Sequence, residues 1–230
     1  MAEQPSRPYG TPAAPRVAVC GEAHLEADPE VARIGITVTA RGTDRRDTLS
    51  DLTRRNTAAL DLVRSHGDAV ERLETGAVAI TPRLTERGRR ERVRAYHGRV
   101  HTTAELTDFT ALGELTTRLA ELDLTSVDGP WWALRPDSPV HRLARRTAVH
   151  DAVRRAREYA EALDATLVAL VELSDSGFNA PVPADYGPYD AVGTEGPDGA
   201  EPQDAILLEP ARQIVTARVE AHFVMTPPRL

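Results

Sequence analysis

Two histidines, His97 and His101, stand four residues apart. On a helix that spacing would bring both imidazoles onto one face as a pair of metal ligands. Their neighbours Tyr96, Gly98, Val100, Thr102 and Thr103 favour a strand instead. There the rings share a face but lie about 13 Å apart at ~3.3 Å per residue, too far to hold one ion. His141, His150 and Asp151 supply the types needed for a serine relay. No Gly-x-Ser-x-Gly turn is present to offer a nucleophile, so satisfied or solvated histidines are expected. Cys20 is the single cysteine. It excludes an intramolecular disulfide and a cysteine zinc knuckle, and beside Gly21 it reads as a buried, inert thiol. Gly196-Pro-Asp-Gly199 does not sit between a strand and a helix, as a phosphate loop must. No catalytic, metal-binding or cofactor-binding residue is therefore expected, and the chain reads as a non-enzyme.

Two other groups are suited to contact rather than catalysis. Arg87-Gly-Arg89-Arg90-Glu-Arg92, with Arg94 and Arg99 beyond it, is the densest basic run. It suits an anionic partner, a solvated hairpin tip, or a tip paired with acid on a neighbouring subunit. Trp131-Trp132 are the only two tryptophans. Strand alternation sends one ring into the core and the other to the opposite face, where a subunit, loop or ligand must cover it. Trp131, Trp132, Arg89, Arg90 and Arg92 are the candidate interface residues.

Composition narrows the partners. The formal net charge is −7, which argues against a nucleic-acid binder. Acid collects in Asp185–Glu209, and all 28 basic residues are arginine. Aromatics make up only 4% of the chain, so its core must be aliphatic. No run approaches the ~18 apolar residues of a transmembrane helix. Met1–Pro15 is Pro-rich and polar, without the apolar core of a signal peptide, so a flexible tail and a cytoplasmic location are expected.

The elements that must position these residues follow from periodicity. Val17–Gly21 and Val31–Ala40 alternate as strands, read as a hairpin or as neighbours. Asp44 is a cap candidate for a helix with Leu49, Leu52, Asn56, Ala59 and Val63 on one face, closed at Gly67. Val70–Leu84 and Val93–Leu106 are extended, with Val78 and Ile80 facing inward. Asp108 opens a second helix through Phe109, Leu112, Leu115, Leu119 and Leu122. Val127–Leu134 is another strand. Ser138-Pro139 starts the longest helix, to about Leu163, whose Ala144, Ala148, Ala152, Ala156 and Ala160 recur at i+4 and whose stripe Leu143, Val149 and Tyr159 broaden. Leu167–Leu173 and Gln213–Met225 are the last strands. The segment 174–208 reads as a mobile insertion. The order ββαββαβαββ predicts an α+β fold in one ordered domain, residues 16–225, with a largely antiparallel sheet and three helices mainly on one face.

Several of these features together resemble a known family. Val17-Ala-Val-Cys-Gly-Glu-Ala23, then Asp28-Pro-Glu-Val-Ala32 leading into Ile34–Val38, resembles the signature of the SIMPL (DUF541) family. Asn56, Ile80-Thr-Pro82, Tyr96, the Ala148-Val-His-Asp-Ala152 helix and the terminal strand Ile214–Val224 continue the resemblance. Ala23 stands where a second glycine is common, and Leu163-Asp164 where Leu-Gly is usual. The resemblance implies a protein without an established catalytic mechanism, whose bacterial relatives include ring-like oligomers and a member linked to oxidative stress. A self-assembling binding or scaffold protein is thus expected, with itself as partner. The alternative is a binding module with a pocket near Trp132 and the 174–208 segment.

Overall fold

The computed structural model describes residues 10–84, 93–175 and 205–229. Among them the element order is ββαββαβαββ, as the periodicity predicts. The strands are antiparallel throughout, and the fold is α+β. They form two sheets where the sequence reading expects one, and the chain divides into two compact units.

The first unit joins the chain's beginning to its end. Strand β1 (Arg16–Ala27) runs antiparallel to β7 (Gln213–Met225), and β7 pairs in turn with β6 (Leu167–Asp175). Helix α3 (Pro139–Glu161) lies on this sheet. Ser138 caps it through a side chain that accepts from the Val140 amide, and Pro139 follows as its first residue. Its five-alanine row Ala144, Ala148, Ala152, Ala156 and Ala160 is fully buried, facing the Val215, Ala217, Val219, Ala221 and Phe223 row of β7. Small side chains let helix and sheet approach closely, and the closest point is Gly21. A Cβ there would sit 2.1 Å from the carbonyl oxygen of Ala148, so only glycine fits. Leu143 and Tyr159 do not broaden the stripe; at 52% and 60% exposure they point to solvent. The turns after α3 and β7 are tied together, the Thr226 amide donating to the Thr166 carbonyl and that of Arg229 to Leu163.

The second unit holds a four-stranded sheet in the order β3-β4-β2-β5: Val70–Leu84, Val93–Leu106, Val31–Gly42 and Thr125–Ala133. β1 and β2 are therefore not a hairpin: each finds its partners far along the chain. Helices α1 (Arg45–Arg64) and α2 (Phe109–Ala120) cover one face. Asp44 and Asp108 cap them, each accepting from two first-turn amides. The aliphatic core joins Ala32, Ile34, Ile36 and Val38 of β2 to Leu52 and Val63 of α1 and to Leu112, Leu115 and Leu119 of α2. The periodicity misplaces two side chains. Thr48 rather than Leu49 turns inward on α1, and Val78 is 60% exposed where the register slips between Thr75 and Val78. Gly67 has φ +52, the left-handed turn expected after α1.

Candidate functional site

Alternation along β4 sorts its residues cleanly. Gly98, Val100, Thr102 and Ala104 face the helices, while His97, Arg99, His101, Thr103 and Glu105 face the other way. On β5 the same rule separates the tryptophans. Trp132 pairs with Ala32 and turns inward, packing edge-to-face on Phe109 with ring centroids 4.8 Å apart. Trp131 pairs with Arg33 on the outer face. One ring in and one out is what the sequence predicts. The outer ring gains cover from its own unit: a Cβ on Gly35 would lie 3.5 Å from the Trp131 ring and 2.9 Å from Cε1 of His101, so both rings lean over that glycine. His101 is held by Thr37, with Oγ1 and Nδ1 3.1 Å apart, and Arg33 Nε donates to Glu105 Oε1 at 3.0 Å.

The candidate chemical groups are dispersed. His97 and His101 both face outward on β4, about 13 Å apart by strand rise. Burial first, and then the positive charges of Arg83 and Arg41, hold the His97 imidazole below its usual pKa. His141 is buried at the start of α3, and His150 is exposed on it. Asp151 ties α3 to β1: its Oδ2 accepts from the Glu22 amide at 3.0 Å, and its carboxylate pairs with Arg154 and Arg155. Cys20 is only half-buried, and Arg218 Nε donates to its sulfur at 3.0 Å. Among the described residues no three His, Cys, Asp or Glu side chains gather in a way that could hold a metal ion.

A run of exposed apolar residues on β6 was legible only as a strand. β6 pairs with β7 on one side, and among the described residues no strand occupies its other edge. Val168, Leu170, Val171 and Leu173 are 64%, 53%, 39% and 47% exposed. Between this strand and α3 runs a groove of about 440 Å³ lined by Val153, Arg157, Ala165, Leu167, Leu170 and Phe223. An unbroken apolar run usually marks a strand buried on both faces. The mismatch between that run and an edge position was the available signal.

Arg89, Arg90 and Arg92 lie outside the described residues, as do residues 176–204 of the segment paired with Trp132 in the pocket reading. Leu208 packs against the same core as Trp132. No helix among the described residues is long and apolar enough to cross a membrane.

Two antiparallel sheets, one covered by α3 and the other by α1 and α2, define an α+β protein whose other faces carry polar, ionic and apolar side chains. The model of the SIMPL family, described as a protein of unknown function (DUF541), matches residues 17–223. The chain belongs to that family. No curated protein matches it.

Proposed function

We propose that this chain is a cytoplasmic, non-enzymatic SIMPL protein that assembles with copies of itself through the edge of β6 that no strand among the described residues occupies. The supporting observation is the contrast between the two edges of the three-stranded sheet. β1 carries Arg16, Glu22, His24 and Glu26, the charges that discourage edge-to-edge pairing. β6 instead offers Leu167-Val-Ala-Leu-Val171 as a continuous apolar stretch, with Glu172 the first charge along it. Unpaired backbone donors and acceptors beside exposed aliphatic side chains form a template for another strand. Pairing two β6 edges would satisfy those groups and remove the aliphatic surface from water together. The non-enzymatic reading is supported by the separation, among the described residues, of His141, His150 and Cys20 from any nucleophile–base–acid arrangement, and by the lack of a three-ligand metal cluster. Light scattering after size exclusion tests the proposal: oligomers are expected, and a strict monomer at all concentrations would refute it.

A further inference from the structure

Three guanidinium groups and an imidazole share one end of the outer face of the four-stranded sheet. Arg41 on β2 stands opposite His97 on β4, and on its other side His97 faces Thr81 of β3, with Arg83 two residues further on. Arg99 follows His97 on the same face, between Thr39 and Ala79. Strand spacing places the Cα atoms of Arg41 and Arg83 roughly 10–12 Å apart across His97, a span that two arginine side chains can close. Elsewhere on this face cations are neutralised: Arg33 by Glu105 and Arg72 by Glu74. Among the described residues no carboxylate lies within ion-pair distance of Arg41, Arg83 or Arg99. The contact Arg99 does make is a long one, Nη2 donating to Thr37 Oγ1 at 3.4 Å.

We propose that this end of the sheet binds a small, multiply charged phosphate ligand, gripped by Arg41, Arg83 and Arg99 over His97. Guanidinium forks match phosphate oxygens in geometry as well as charge. A small ligand suits the site better than a polymer. Glu74 and Glu105 bound the basic cluster along the sheet among the described residues, and the chain's net charge of −7 repels an extended polyanion. Among the described residues the charged and titratable groups on the face of His97 nearest to it are Arg41 on β2, Arg83 on β3, and Arg99 and His101 on β4. An arriving phosphate offsets the two arginine charges that disfavour imidazolium, so binding draws a proton onto His97.

Pyrophosphate is the probe, titrated in low salt and followed by NMR of the histidine rings and backbone amides. Shifts are expected at the Arg41, Arg83 and Arg99 end of the sheet, with the His97 titration midpoint moving upward and His97→Gln removing that signal. The double variant Arg41→Ala/Arg83→Ala should bind at least about tenfold more weakly, since each charge-assisted hydrogen bond contributes on the order of one decade or more. Both side chains are exposed, and unchanged amide shifts elsewhere establish that the variant is folded. No response at millimolar pyrophosphate would overturn the proposal. So would unaltered affinity in the double variant, or a response only to a long polyanion such as heparin. Neither the site nor its test depends on assembly through β6.

Discussion

The amide of Glu22 donates to Oδ2 of Asp151 at 3.0 Å, joining β1 to α3 beside the close approach at Gly21. Burial alone would raise the Asp151 pKa, but the Glu22 amide and the flanking Arg154 and Arg155 outweigh it and hold the carboxyl below its usual range. A depressed folded pKa contributes stability that is fully present above the unfolded value near ~3.9 and is lost as pH falls through the folded value. Asp151→Asn should therefore cost about 1.5–3 kcal/mol at neutral pH. The gap from the parent protein should narrow on acidification below about pH 4. Urea titration, read through exchange of the α3 amides, reports the first unit by itself.

Gly21→Ala would set a methyl group against the backbone of α3, 2.1 Å from the Ala148 carbonyl oxygen and 2.6 Å from the Ala152 nitrogen. Backbone cannot yield as a flexible side-chain end can. A loss of about 3 kcal/mol or more is expected. Thermal melting with retained or lost α3 protection measures it, and a neutral result would mean that helix and sheet pack less closely than described.

The tryptophans should differ in energetic weight although they are adjacent. Trp132→Ala removes a ring packed on Phe109 and the aliphatic core, at a cost of about 3–5 kcal/mol. Trp131→Ala uncovers the Gly35, His101 and Gly129 neighbourhood on the outer face, and about 1 kcal/mol is expected. Denaturant midpoints of the two variants decide the order.

Local structure was largely legible because local rules produce it. Asp44, Asp108 and Ser138-Pro139 announce their helices, and strict alternation fixes β7 and the opposed directions of Trp131 and Trp132. Strand partnership was not legible. β1 meets β7 from the far end of the chain, and no local period records a pairing of that range. Division into two sheets follows from the same long-range pairing, which removes β1 from β2. The basic group at His97 was half visible: Arg99 belonged to the recognised run, but Arg41 and Arg83 join it only through the β3-β4-β2 register. The edge position of β6 was hidden for a related reason, since its apolar run reads alike at the centre or rim of a sheet.

Lysine at Val171 or Leu173 places a charge on the exposed surface of β6 where it has little to disturb within the chain, so stability should change by no more than about 0.5 kcal/mol. The decisive measurement is the mass in solution, by light scattering, of the parent protein beside Val171→Lys/Leu173→Lys. Pairing through β6 predicts an oligomer for the parent and a folded monomer for the variant. A monomeric parent, or an oligomer indifferent to both lysines, would contradict it.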